Sequence, residues 1–272
     1  MKNNLILNHA HTNFITHGDG PPVILLHGVA GSLRQWDYLI PALSGAGYRA
    51  LAVDLLGHGD SPRLNGSTYY IDHVYAHFAA WLESLDLREA PVIIAHSMGG
   101  YLALTHALRG HSIRGLLLIS PYYTPQQLSG PVRFSIQRPS ISTVVLQNTP
   151  YWAIESVVRL SHRNGLSALS NDVQKQMAVD FKRSDPGIIA LPHSTEDLTP
   201  YLPRVRVPTM IVWGDKDLTL SPATFPRLAI SIPDARSLRL PNCGHVPHLS
   251  HLDFFNETAL KFLQEVSPVP TL

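Results

Sequence analysis

Residues 92–104 read Val-Ile-Ile-Ala-His-Ser-Met-Gly-Gly-Tyr-Leu-Ala-Leu. A short β-branched apolar run of this kind suits a strand buried on both faces. The run then narrows to small residues, Ala95, Gly99 and Gly100, and resumes with a helical pattern. A chain that only needed to reverse direction could use Asn-Gly or Pro-Gly. This one sets Ser97 at the sharpest point of the turn. A buried strand that feeds directly into a helix belongs to a parallel sheet, because parallel neighbours must be joined by a crossover and not by a hairpin.

The same grammar recurs along the chain. Apolar runs stand at 22–28 (PVILLHG), within 49–59 (RALAVDLLGHG), at 113–120 (IRGLLLIS), at 207–214 (VPTMIVWG) and at 236–240 (RSLRL). Between two of them Ile71, Val74, Tyr75, Phe78, Leu82 and Leu85 fall three and four apart, on one helical face. A closing helix carries Phe255, Ala259, Phe262, Leu263 and Val266 on one side. The alternation predicts an α/β fold with a mostly parallel central sheet flanked by helices. It fails once, between Pro121 and about Pro203, where the segments PYWAIESVVRLSHR and NDVQKQMAVDFKR are helical in pattern. Trp152, Ile154, Val157, Val158 and Leu160 make this a helical insertion and not a linker. The expected division is therefore a core of residues 1–121 and 204–272 with an insertion at 122–203. The stretch 130–147 shows no assignable pattern.

Composition narrows the class of partner. The chain has 272 residues, a formal charge of +1 and 15% charged residues, so nothing marks a nucleic-acid or anionic-membrane ligand. The single cysteine, Cys243, leaves no internal disulfide framework and no multi-cysteine metal site. The first residues, MKNNLILNHAHTNF, do not read as a signal peptide, and no apolar run nears the about 20 residues that span a bilayer. A soluble, cytoplasmic protein with no membrane partner is the expectation.

A serine hydroxyl is a weak nucleophile and needs a base, which in turn needs an orienting acid. Downstream, MIVWGDKDLTLSP offers Asp215 and Asp217 just beyond a strand end, and LPNCGHVPHLSH offers His245. The order Ser97, then an aspartate, then His245 resembles that of the α/β-hydrolase fold superfamily. HGVAGS at 27–32 is similar to that family's oxyanion loop, and DLLGHGDS at 54–61 to the segment after its next strand. The resemblance spans Gly20 to Val266 and is to a serine-nucleophile esterase or lipase with a helical cap.

That resemblance implies roles. Ser97 would be the nucleophile and His245 the general base. Asp217, three residues after Gly214, matches the family's W-G-x-x-D spacing, whereas Asp215 reads as a turn residue. The strand before runs into ISPYYTP, which has no carboxylate for an alternative acid. The backbone N–H groups of Val29 and Met98 would form the oxyanion hole. His27, Gly28, His96, Trp152 and Val246 would contact substrate. The insertion would be a cap over Ser97, with Phe134, Val144, Val145, Leu146 and Trp152 available for an apolar pocket. No cofactor or metal is implied. His245, His248 and His251 recur every three residues, but the second and third are better read as lining or capping the last helix. His9 and His11 alternate as on an edge strand, and Cys243 reads as a small hydrophobe.

The implied reaction is hydrolysis of carboxylic esters with small to medium acyl chains, or of lactones, through an acyl-enzyme. An aspartate at position 97 would have pointed to the relatives that open epoxides or remove halides. Three alternatives stay open at this point. One is a C–C bond hydrolase of ring-cleavage dienoates, for which Arg133, Arg138, Arg159 and Arg163 are available. Another is a slow or non-catalytic small-molecule receptor. The third is an acyltransferase or perhydrolase that differs only in the acceptor. The natural substrate and the oligomeric state are left open.

Overall fold

The structure is a computed structural model that describes residues 12–64, 69–138, 148–161 and 169–269. His9, His11, Val144, Val145, Leu146 and Arg163 lie outside the described residues.

Seven strands form one sheet: β1 (Phe14–His17), β2 (Pro22–Leu26), β3 (Arg49–Val53), β4 (Val92–His96), β5 (Gly115–Ile119), β6 (Thr209–Gly214) and β7 (Arg236–Leu240). Their order is β1-β3-β2-β4-β5-β6-β7. Only β1 runs antiparallel, with Phe14 opposite Val53; every other pairing is parallel. The three central strands β2, β4 and β5 are buried along their whole length, which is why each is an uninterrupted apolar run.

Strand periodicity divides those residues between two cores. Ile24, Leu26, Ile93, Ala95, Leu116 and Leu118 face one side, with Val74, Phe78 and Trp81. Val23, Leu25, Val92, Ile94, Leu117 and Ile119 face the other, with Leu39, Leu43, Phe255 and Phe262. Burying each aliphatic side chain contributes about 1.5–3 kcal/mol, so a one-residue slip in register would forfeit a whole face.

The helices are α1 (Leu39–Gly45), α2 (Ile71–Ser84), α3 (Met98–Leu108), α4 (Gly130–Ile136), α5 (Tyr151–Ser161), α6 (Asn171–Arg183), α7 (Phe225–Ser231), α8 (Pro247–Ser250) and α9 (Leu252–Val266). α2 buries Ile71, Val74, Tyr75 and Phe78, and α9 buries Phe255, Ala259, Phe262 and Leu263, as their spacing predicts. No strand is present between β5 and β6 among the described residues. That segment holds α4, α5, α6 and a 3-10 helix, Pro186–Ser194. It meets the rest through an isolated bridge, Leu128 with Leu220, and through a small core of Leu169, Val173, Val246 and Leu249. No helix among the described residues is long and apolar enough to cross a membrane.

Candidate active site

Ser97, Asp217 and His245 each stand beyond the carboxyl end of a parallel strand, where ligands gather in sheets of this type. β4 ends at His96, and the chain then enters α3 through Ser97 at φ 51° and ψ −115°. A non-glycine residue at positive φ is strained and persists only where its surroundings hold it. Three backbone bonds do so here. Ser97 N–H donates to the Ile119 carbonyl, and the Ser97 carbonyl accepts from the Gly100 and Tyr122 N–H groups, all at 2.9 Å. The turn also lies hard against β2. A Cβ on Gly99 would fall 2.5 Å from the Leu26 carbonyl oxygen, so no larger residue fits that position without moving backbone.

Asp217 follows β6 and is buried. Its Oδ1 accepts the Thr219 N–H at 2.8 Å and the Leu220 N–H at 2.9 Å, which fixes the carboxylate plane. Oδ2 then stands 2.7 Å from His245 Nδ1, and His245 Nε2 stands 3.0 Å from Ser97 Oγ. Asp215 instead accepts the Asn242 N–H at 2.7 Å and serves the loop after β7. The chain of hydrogen bonds from Ser97 through His245 to Asp217 thus brings together three residues from three separate strand ends.

His96 is buried behind them. Its ring packs 4.8 Å from the His245 ring and 4.7 Å from that of His248, and its Nε2 lies 3.0 Å from the His245 carbonyl oxygen. Burial, with His248 and His245 alongside, holds its pKa well below the usual value, so a neutral ring donates from Nε2 to that carbonyl. His248 lies in α8 between His96 and Trp36, and His251 precedes α9 as its N-cap residue. The buried Cys243 thiol is pushed up to about 11 by burial, which keeps it protonated and unreactive.

A cavity of about 390 Å³ opens on this cluster. Ser97, His245, His96, Val246, Val29 and Met98 line it from the sheet side. Ile136, Val158, Met177, Phe181, Ile189 and Leu191 line it from the segment between β5 and β6, so the walls are predominantly apolar. A more voluminous hollow of about 550 Å³, beside Arg63, Arg183 and Ile188, contains none of the three hydrogen-bonded residues. Chemistry at Ser97 therefore concerns the smaller space.

Three residues expected to touch substrate do not line this cavity. His27 is fully buried; its Nδ1–H donates to the Gly28 carbonyl at 2.8 Å and its Nε2 accepts the Leu55 N–H at 2.9 Å. Burial lowers its pKa to about 4, against the pull of the Gly28 carbonyl, so a neutral ring ties the loop after β2 to the loop after β3. Gly28 lies beneath the turn and not in the cavity: a Cβ there would come 2.8 Å from His96 Nδ1 and 3.0 Å from Ser97 Cβ. Trp152 is 71% exposed on α5, because that helix turns Ile154 inward and leaves Trp152 on the opposite side.

Two positions beside the site carried no signal in the linear reading. Asp54 accepts the Leu33 N–H at 2.7 Å, Asn13 Nδ2 at 2.7 Å and the Asp60 N–H at 2.9 Å, joining the two loops beside Gly28. The motif at 54–61 contained it, but only its contacts reveal the task. Asp180 of α6 lines the cavity, and nothing in its helix pattern sets it apart.

The comparisons with known proteins agree with this architecture. The chain is similar to the bifunctional epoxide hydrolase 2 of Rattus norvegicus, 24% identical over 93% of this chain and 53% of that protein. It spans about half the length of that relative. It is similar to Lipase 3 of a Moraxella species, 24% identical over 84% of this chain and 72% of that protein. Among solved structures it resembles a thermophilic esterase from Thermogutta terrifontis, with a TM-score of 0.78 and 23% identity, covering 94% of this chain and 93% of that one. The alpha/beta hydrolase fold family matches residues 21–252, and this chain, with its sheet order and its Ser97 turn, belongs to that family.

Proposed function

We propose that this protein is a serine hydrolase that cleaves carboxylic esters of small to medium acyl chains, with Ser97 as nucleophile. The observation that carries this reading is the continuous chain Ser97–His245–Asp217 at the wall of an apolar cavity. His245 Nε2 accepts the Ser97 proton as Oγ attacks the ester carbonyl, and Asp217 stabilises the imidazolium so formed. The N–H groups of Val29 and Met98, both on the cavity wall, are the donors offered to the developing oxyanion. His245 then returns the proton to the departing alcohol. Water, deprotonated by the same ring, attacks the acyl-enzyme and releases the acid. The residues 122–203 act as the cap, supplying the apolar wall that excludes solvent.

Similarity to an epoxide hydrolase does not redirect the reading, since a serine and not an aspartate occupies the turn. Cleavage of a dienoate is disfavoured on electrostatic grounds. No lysine or arginine is among the described residues that line the cavity. Arg133 donates to the Gln126 and Leu128 carbonyls, and Arg138 lies over the Phe134 ring. The test is a series of p-nitrophenyl esters from acetate to palmitate, with Ser97→Ala in parallel. Turnover that peaks at short to medium chains and disappears in the variant supports the proposal. Turnover that survives the substitution removes Ser97 from the mechanism.

A further inference from the structure

The one ionisable carboxyl among the described residues that line the cavity is Asp180. It is 3% exposed, on the inward face of α6. Gln176 Nε2 donates to its Oδ1 at 2.7 Å, and the Ser32 hydroxyl is a second polar neighbour that favours the charged form. Ser32 Oγ accepts the Arg34 N–H at 3.2 Å, so its own proton is free to point at Asp180. Both partners are neutral. Among the described residues no lysine or arginine forms an ion pair with Asp180.

A carboxylate in such a place is costly. Moving a charge out of water without a counter-ion carries a penalty of several kcal/mol, and neutral hydrogen bonds recover only part of it. Burial accordingly pushes the Asp180 carboxyl up to about 6, with Asp54 adding to the rise and Ser32, Gln176 and Arg34 opposing it. At neutral pH and above it is therefore mainly ionised, facing an apolar space. A purely structural role for this side chain would not need a charge, since an amide oxygen would accept the same Gln176 bond. A ligand that brings a cation into this cavity supplies what the protein leaves out, and one that brings a second carboxylate meets repulsion strengthened by the low dielectric.

We propose that Asp180 is the recognition group of this cavity, selecting esters whose acyl chain ends in a protonated amine and rejecting those that end in a carboxylate. The proposal rests on the reading of Ser97 as the nucleophile of an esterase. It makes α6 the element that sets substrate class, while the sheet side supplies the chemistry.

Three esters of matched chain length test it: p-nitrophenyl 6-aminohexanoate, p-nitrophenyl heptanoate and the mono-p-nitrophenyl ester of adipic acid, compared by kcat/KM at pH 8. The expected order is amine above methyl above carboxylate, with amine over methyl at least about tenfold. In Asp180→Asn the ratio of amine to methyl falls to within about twofold of unity, mainly through KM. A ratio near one in the wild-type protein, or one unchanged in Asp180→Asn, overturns the proposal. Calorimetric binding of hexylammonium against 1-hexanol to the wild-type protein decides the matter independently of turnover, and does so even where Asp180→Asn fails to fold. Preference for hexylammonium supports the Asp180 assignment even where no ester is turned over, a result that would remove only the esterase reading. Equal binding of the two ligands overturns the Asp180 assignment alone.

Discussion

His245 Nε2 stands 3.0 Å from Ser97 Oγ, so the proton of the hydroxyl can reach the ring without either side chain changing rotamer. Ser97→Ala removes the atom proposed to attack the ester and leaves the backbone bonds of the turn in place. The expected result is a fall in kcat/KM on the order of 10⁴-fold or more with an unchanged circular-dichroism spectrum. Steady-state kinetics on the best ester of the chain-length series reads it.

Asp217 does two jobs with two oxygens, and two substitutions separate them. Asp217→Asn retains an acceptor for the Thr219 and Leu220 N–H groups but no longer stabilises a charged His245. Activity is expected to drop on the order of 10⁴-fold with stability largely kept. Asp217→Ala leaves the Thr219 and Leu220 amides unpaired, the second of them buried, and adds about 1–3 kcal/mol of destabilisation. Equal stability of the two variants in urea would contradict the bonding described here.

Gly28 acts by being small. An alanine Cβ would press within 2.8 Å of the His96 ring and 3.0 Å of Ser97 Cβ, displacing Ser97 or the loop that carries Val29. Gly28→Ala is expected to lower kcat about 10²-fold with little change in KM, since misplacement by a fraction of an ångström is costly at the reacting atoms. A loss confined to KM would return Gly28 to the substrate contacts.

Buried histidines make the protein acid-sensitive. Burial lowers the pKa of His27 to about 4, of His58 to about 3 and of His248 to about 3, against 6.5 for the free side chain. Below pH 6.5 the unfolded chain takes up protons that the folded rings refuse. The stability that these rings contribute is therefore complete above about pH 7 and declines as pH falls from 6.5 toward 4, partly offset by Asp180, whose raised carboxyl takes up its proton more readily in the folded chain. Each ring contributes a loss of about 2 kcal/mol at pH 5, and three together are comparable to a whole stability of about 5–15 kcal/mol. Tm measured from pH 8 to pH 5 should fall steeply over the lower half of that range.

His248 offers the sharpest check of this account. Neither ring nitrogen has a hydrogen-bond partner among the described residues, and the ring packs against Trp36, His96 and Phe255. His248→Phe keeps the packing and removes both orphan nitrogens, so about 1–3 kcal/mol of stabilisation is expected at pH 8. The gain should be larger at pH 5, where the native histidine resists protonation. An equal gain at both pH values would mean that its titration does not differ between the folded and unfolded chain.

Much of this molecule is legible in the linear order of its residues. Continuous apolar runs marked β2, β4, β5 and β6 because a strand covered on both faces has no polar side to alternate with. Small residues around Ser97 announced a close approach, and the order Ser97, Asp217, His245 suggested which side chains would meet. β1 escaped notice, since Phe14–His17 is short, largely exposed and antiparallel at the sheet edge.

What only the tertiary structure decided is which partner each face finds. His27 opens the HGVAGS motif beside Ser97, yet the loop after β3 claims its ring. Trp152 has the composition of a pocket residue, yet α5 turns it to solvent. Asp180 looks like any charged residue of an amphipathic helix until α6 is laid across the cavity. Periodicity records that residues share a side of a helix or strand. It cannot record what lies opposite, because that contact joins residues far apart in the chain, and the burial, charge and reactivity of a group depend on that contact.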